Sequence, residues 1–289
     1  MGARMSDQAK GLLITVLGVL FIVPDSLFIR LIELPAIEIA FWRNLLAGLL
    51  LLAFVLLRRR TMPWDALRAA GGYGIYYMLA LGLAGVLFTL AVSMTSVANV
   101  VFIIASMPVF AAVFSRVFLG EPISRRMIFT MLFVFVGLAI ILRGSGETEG
   151  ASLKGDMVAL FLSAVFASAL TAVRKVRGTS VVPLVPLAYI FSAIVLWPFV
   201  APFTLGMDQA SLVILHGGFI AISSVGLALG PRYITSAEVA LLILLVSVLA
   251  PLLVWFWLGE DPGTYALIGG AVVIAALAVS NAVVLMRRR

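Results

Sequence analysis

The sequence predicts an all-α integral membrane protein with ten transmembrane helices. Hydrophobic residues make up 63% of the 289 residues and charged residues 11%. A water-soluble domain cannot bury so much apolar surface, so most of the chain requires lipid as its solvent. Ten apolar stretches lie between charges, prolines and glycines, each close to the ~20 residues that cross a ~30 Å hydrocarbon layer. They cover residues 10–31, 36–57, 70–93, 97–118, 124–142, 156–175, 184–205, 210–230, 235–258 and 264–286.

One segment of the first half recurs in the second half. An apolar run lies between Thr95-Ser96 and Leu119-Gly120-Glu121-Pro122, and a similar one between Thr235-Ser236 and Leu258-Gly259-Glu260-Asp261-Pro262. The copies are 140 residues apart at the Thr-Ser pair and 139 at the Gly-Glu pair. Such a repeat indicates two bundles related by a pseudo-symmetry axis. The predicted domains are a five-helix repeat at 1–142, a linker at 143–155 and a second repeat at 156–289.

The basic residues predict the orientation of the chain. Sixteen of the 20 Lys and Arg residues fall at one set of helix ends, whereas Arg143 and Lys154 fall at the opposite set. The positive-inside rule therefore places both termini in the cytoplasm and the linker on the opposite side of the membrane. Because five spans is an odd number, the second repeat enters the membrane from the other side. The two repeats are thus expected to be inverted.

Several classes of function are disfavoured by what the sequence lacks. There is no cysteine and a single histidine, His216, which excludes disulfides, thiolate metal sites and multi-histidine metal sites. No cluster of catalytic groups is visible, so we expect a protein that is not an enzyme and that needs no metal or cofactor. The arginine clusters at helix ends suit lipid headgroups rather than nucleic acid. The expected partners are a small-molecule solute and the bilayer, and the oligomeric state stays open, with a monomer compatible.

The segment from Pro108 to Glu121, PVFAAVFSRVFLGE, resembles the first-repeat motif of EamA-type members of the drug/metabolite transporter superfamily. The second copy departs from the motif, since Ser247 stands at the position of Pro108 and a proline follows four residues later as Pro251. The resemblance extends over nearly the whole chain and implies a ten-helix secondary transporter working by alternating access. It is strongest toward bacterial amino-acid exporters, which implies export of aromatic and other neutral amino acids. It also implies a bacterial inner membrane, with the linker in the periplasm. A broader metabolite or drug exporter is the alternative.

Asp25 and Arg43 are the most informative charged residues. Asp25 lies about six residues before the outer end of the first span, and Arg43 about seven residues into the second. At 1.5 Å per residue both are roughly 10 Å below the same surface. A charge at that depth must be paired or face water. One interpretation is a structural ion pair, and the other is contact with a charged group of the solute or with a coupling proton.

Prolines inside the spans predict helix kinks at Pro24, Pro108 and Pro251. Each proline lacks the N–H that would bond the carbonyl four residues earlier, so the helix loosens there. The kinks are compatible with ordinary packing or with hinges that let helices rock between two states.

Polar and aromatic residues on helix faces form the predicted cavity wall. They are Tyr76, Tyr77, Asn99, Phe102, Ser106, Ser163, Phe166, Ser223 and Ser224. The alternative role for each is helix packing, in which hydroxyls and amides bond neighbouring helices. His216 is expected to be incidental, and Glu121 and Glu260 are expected to fix the start of the helix that follows each of them.

Overall fold

The computed structural model describes residues 7–58, 62–148, 150–176, 180–201, 205–229, 233–234 and 236–286. The regular secondary structure of these residues is helical. The helices are α1 (Asp7–Ile22), α2 (Asp25–Leu31), α3 (Ala36–Arg58), α4 (Pro63–Met94), α5 (Val97–Ala105), α6 (Met107–Leu119), α7 (Arg125–Arg143), α8 (Leu153–Lys175), α9 (Leu184–Leu196), α10 (Met207–Leu229), α11 (Ser236–Leu258) and α12 (Thr264–Met286).

Within the described residues, nine helical segments are long and apolar enough to cross a membrane, whereas ten spans were predicted. The predicted seventh span, 184–205, is instead a shorter apolar helix, Leu184–Phe199, that ends in a 3-10 turn at Trp197–Phe199. Pro198 lies in that turn and cannot donate a helical hydrogen bond, and Val200 is extended. The third span is longer than predicted: α4 begins at Pro63 and is kinked at Gly71, where φ is 56°.

The three predicted kinks differ in the structure. The first span is interrupted at Val23 and Pro24, between α1 and α2. The fourth is interrupted at Ser106, between α5 and α6, two residues before Pro108. By contrast, α11 continues as one helix through Pro251. The helix is thus broken near Pro24 and near Pro108, and it is continuous at Pro251.

Side-chain contacts define two opposite ends of the bundle. We name the linker end after residues 144–152, which connect α7 to α8; there Glu147 accepts a hydrogen bond from the backbone of Tyr265 at the start of α12. At the other end, named the basic end, Gln8 at the start of α1 donates to Glu238 in the first turn of α11. Since α1 begins at the basic end and α8 begins at the linker end, the first helices of the two halves run in opposite directions.

Helices of the first half pack mainly on helices of the second. The most extensive pairings are α4 with α8, α7 with α12, α3 with α9 and α1 with α10. Glycines permit the close approach: a Cβ on Gly226 of α10 would lie only 2.7 Å from Cα of Gly18 on α1. Small residues allow such close packing, which stabilises helix association in lipid, where the hydrophobic effect does not drive helices together.

The same type of turn follows α6 in the first half and α11 in the second half. Gly120 follows α6 with φ of 69°, and Gly259 follows α11 with φ of 71°. This left-handed conformation strains residues that carry a Cβ, so glycine is required at both turns.

Candidate functional site

A buried cluster of polar side chains lies about 10 Å from the linker end, counting 1.5 Å per residue. Arg43 of α3 donates from Nε to Oδ1 of Asp25 at 2.9 Å and from Nη2 to Oδ2 at 2.6 Å. The two side chains are 6% and 3% exposed. This two-point, charge-assisted contact is the strongest geometry available to an arginine and a carboxylate. Asp25 and Arg43 thus neutralise each other inside the bundle.

His216 of α10 is the third member of this cluster. Its Nε2 lies 2.6 Å from Oδ1 of Asp25, and its ring stacks on Phe28 with centroids 5.3 Å apart. The expectation that His216 is incidental is wrong, because the imidazole binds the carboxylate and is 1% exposed. It ties the second half of the chain to α2.

The polar contacts continue from Arg43 toward α9. Arg43 donates from Nη1 to the amide oxygen of Asn44 at 3.1 Å, and Asn44 donates from Nδ2 to Ser192 at 2.9 Å. Ser192 in turn donates to the carbonyl of Tyr189 at 2.8 Å. We name the set Asp25, Arg43, Asn44, Ser192 and His216 the central polar cluster. It joins α2, α3, α9 and α10. Because the cluster is buried, its hydrogen bonds are stronger than they would be in water, and losing one would leave a costly unpaired polar group.

A second buried cluster lies at the linker end around Asp156, in the first turn of α8. Its carboxylate accepts from Thr95 Oγ1 at 2.7 Å, from Asn99 Nδ2 at 3.0 Å and from the Ser145 hydroxyl. Ser152 caps α8 by accepting from the Gly155 N–H at 3.1 Å. Sequence reasoning missed Asp156, which reads as an ordinary acidic residue at a helix start. The one signal near it was the predicted cavity residue Asn99, a polar amide that needs a partner inside the bundle.

Replacing Asp156 with Ala is expected to destabilise the protein more than Asp208→Ala does. Thr95 and Asn99 are buried, and each donor left without an acceptor costs about 1–3 kcal/mol. Asp208 also lies in the first turn of a helix, α10, but is exposed. Thermal unfolding in detergent measures the difference. Equal melting temperatures for the two variants would show that the buried contacts of Asp156 contribute nothing.

The predicted cavity residues make several separate contacts in the described part of the chain. Asn99 is bonded to Asp156, and Phe102 packs in the main core. Ser106 and Ser163 are in contact, with 3.3 Å between their hydroxyl oxygens. Tyr77 packs in a second core with Tyr189, whereas Tyr76 is 48% exposed and donates to Ser168 at 2.7 Å. Their role in solute binding therefore stays a prediction.

The remaining predicted cavity residues lie on α8 and α10. Phe166 packs against the core residues of α4, and Ser224 is half-buried. The Ser223 hydroxyl is fully buried and has no hydrogen-bond partner, as is also the case for Ser26 beside Asp25. A buried hydroxyl without a partner is unfavourable, so a hydrogen bond to a ligand or a water would stabilise both serines.

Within the residues that the structure describes, no three His, Asp or Glu side chains group as metal ligands would. A groove between α7 and α12, lined by Arg126, Phe129, Thr130 and Ser280 among others, contains none of the predicted cavity residues.

Two ion pairs join the halves nearer the ends of the bundle. At the linker end, Arg30 Nε lies 2.9 Å from Oε2 of Glu260. At the basic end, Arg174 Nη1 lies 3.0 Å from Oε2 of Glu121. Glu260 also accepts from the Val97 N–H at 2.7 Å. Their glutamates, expected to fix the start of the following helix, thus bind arginines of the other half.

Comparison with known proteins finds a match to a family model in the first half of the chain. Residues 9–143 match the model of the EamA-like transporter family. A protein of Bacillus subtilis (strain 168) described as "Uncharacterized transporter YdfC" is 23% identical over 253 residues, covering 83% of this chain and 80% of that protein. A solved structure described as "Crystal structure of protein" shares the fold, with a TM-score of 0.63, 18% identity, and coverage of 97% of this chain and 98% of that one.

The nine candidate spans among the described residues agree with a multi-pass membrane protein. The matched region, residues 9–143, contains Asp25 and Arg43, while His216 and Asp156 lie outside it. Both buried clusters are therefore completed by residues of the second half.

Proposed function

We propose that this protein is a secondary transporter that exports aromatic and other neutral amino acids across a bacterial inner membrane by alternating access. The observation that carries the solute class is the central polar cluster. Of the Lys and Arg residues that the structure describes, only Arg43 is buried, and Asp25 holds it in a two-point pair. An interior of this kind offers no spare positive charge for a phosphate group. It suits an uncharged or zwitterionic solute.

We further propose that the two halves are inverted repeats with both termini in the cytoplasm. The proposal is supported by the opposite directions of α1 and α8 and by the matching turns at Gly120 and Gly259. It is also supported by the helix pairings, since exchanging the halves turns the pair α1 and α10 into the pair α8 and α4. Inverted repeats let a shared site face each side of the membrane in turn.

The sequence as a whole resembles the bacterial amino-acid exporter YddG, which supports the amino-acid assignment. Fold likeness alone leaves the solute open, since one fold carries many functions. The competing proposal is a metabolite or drug exporter of broader specificity. The apolar core around Tyr77 and Phe166 is compatible with either solute class.

Flux in proteoliposomes tests the proposed solute. We expect saturable counterflow of a labelled neutral amino acid such as phenylalanine, reduced by unlabelled neutral amino acids and unaffected by a hexose phosphate. Empty liposomes are the control. Saturable flux of an apolar cationic dye without any amino-acid flux would instead favour the broader exporter, and inhibition by hexose phosphate would contradict the neutral-solute class.

A further inference from the structure

The ion pair at the linker end is held by several contacts. Besides the contact between Arg30 and Glu260, Arg30 donates from Nη2 to the carbonyl of Thr95 at 2.9 Å, and Glu260 receives the Val97 N–H. The two side chains are 23% and 18% exposed. The pair therefore ties α2 to the end of α11 and to the turn between α4 and α5.

The ion pair at the basic end joins the corresponding helices of the opposite halves. Arg174 at the end of α8 contacts Glu121, directly after α6, and donates to the hydroxyl of Ser115 at 3.2 Å. Its side chains are 50% and 37% exposed, so this pair is more open to solvent than the other. It ties α8 to the end of α6.

The sequence relates the two pairs to each other. Arg174 follows Arg30 by 144 residues, the same spacing that separates Gly11 from Gly155. Glu260 follows Glu121 by 139 residues, within one residue of the spacing between the Thr-Ser pairs. One pair is thus the repeat copy of the other. In each pair the arginine lies on the first predicted span of one half, in α2 or α8, and the glutamate follows the fourth predicted span of the other half, after α11 or α6.

Packing at the helix starts repeats the same relation. A Cβ on Gly11 would lie 2.7 Å from the side chain of Ile234, and a Cβ on Gly155 would lie 2.7 Å from the backbone of Met94. Ile234 follows Met94 by 140 residues. The first helix of each half is therefore fitted against the same turn of the other half, once at each end of the bundle.

We infer that the pairs Arg30–Glu260 and Glu121–Arg174 are the two gates of the carrier, each closing one end, and that they open in alternation. This inference rests on the proposed function. To open the linker end, α2 must separate from the end of α11, which breaks Arg30–Glu260. Opening the basic end separates α8 from α6 and breaks Glu121–Arg174. An exchange of the halves exchanges the two pairs, so the same chemistry serves both states.

The closed state of each gate is expected to depend on charge. Glu260→Gln keeps an oxygen for the Val97 N–H but removes the charge that holds Arg30, so it isolates the ion pair from the backbone contact. Glu121→Gln does the same at the basic end. Each substitution should favour the state in which its own end is open, because it weakens only the closed form of that end.

Spin-label distances test the inference without any solute. The chain has no cysteine, so labels attach only where cysteines are introduced. The exposed positions Glu33→Cys with Asp261→Cys report the linker end, and Arg116→Cys with Lys175→Cys report the basic end. We expect Glu260→Gln to shift the linker-end distance to longer values and leave the basic end closed, and Glu121→Gln to do the reverse.

A charge exchange provides the control for misfolding. Arg30→Glu combined with Glu260→Arg restores opposite charges and should return the linker-end distance to that of the parent protein. The inference fails if both glutamine variants lengthen the same end, if neither changes a distance, or if the exchange does not restore closure in a monodisperse protein. Opposite shifts in a protein without amino-acid flux would reject the proposed solute and keep the gates.

Discussion

Asp25→Asn is expected to destabilise the folded bundle by about 3–5 kcal/mol, because the guanidinium of Arg43 then stays buried without its counter-charge. The substitution also removes the negative charge that His216 contacts at 2.6 Å. Arg43→Gln should be similarly harmful, since it leaves the Asp25 carboxylate buried with His216 alone. Chemical unfolding in detergent, followed by the fluorescence of the five tryptophans, measures both losses.

The double variant Asp25→Asn with Arg43→Gln separates the two interpretations of the pair. Removing both charges leaves no uncompensated ion, so the double variant should be less destabilised than the sum of the single variants. If the pair is a structural lock, solute flux returns together with stability. If one member contacts the solute or a coupling proton, stability returns and flux does not.

An exposed ion pair supplies the matched control. Asp65 and Arg68 are 67% and 84% exposed, and their nearest charged atoms are 4.0 Å apart. Such surface pairs contribute little, so Asp65→Asn should leave the unfolding midpoint nearly unchanged. A loss for Asp25→Asn no larger than that for Asp65→Asn would contradict the buried-pair account.

Local sequence properties were sufficient to predict most of the helices and one contact of the central polar cluster. Hydropathy locates apolar segments because lipid requires about 20 apolar residues in a row. Counting residues from the helix ends placed Asp25 and Arg43 at one depth, and neighbouring antiparallel helices bring equal depths together. This reasoning works because both residues lie in consecutive helices joined by a short turn.

The same reasoning could not find His216 or Asp156. His216 is 191 residues away from Asp25 in the chain, and their contact depends on how α10 packs against α2. Asp156 likewise meets Thr95 and Asn99 because α8 packs on both α4 and α5. Both contacts cross between halves, and the order of packing between halves is not encoded in the periodicity of any one helix.

Hydropathy also failed to predict the length of the helix in the predicted seventh span, which is α9 in the structure. Residues 184–205 are apolar enough to span, but the backbone hydrogen bonds of a helix cannot continue past Pro198 without loss. Composition over a window averages over the proline, whereas the backbone responds to it at one position. For the same reason hydropathy did not predict that α4 begins before residue 70. Pro63 is tolerated there because it lies in the first turn of α4.

Gly226→Leu is expected to separate α1 from α10 and to destabilise the protein by about 1–3 kcal/mol or more. A Cβ at Gly226 would lie 2.7 Å from Cα and 3.0 Å from N of Gly18, and 3.0 Å from the carbonyl oxygen of Ile14. All three neighbours are backbone atoms, which no side-chain rotation can move away. Relief therefore requires the two helices to move apart along their interface.

Gly218→Leu on the same helix is the control for this substitution. A Cβ at Gly218 meets nothing within 4 Å, so leucine there gains helix propensity without a clash. The two variants share the same residue types, the same helix and the same added volume, and they differ only in what the new side chain meets. A lower unfolding midpoint for Gly226→Leu alone would show that backbone contact between the halves stabilises the bundle. Equal midpoints would mean that α1 and α10 are free to separate, and His216 on α10 could then not be held against Asp25 by this interface.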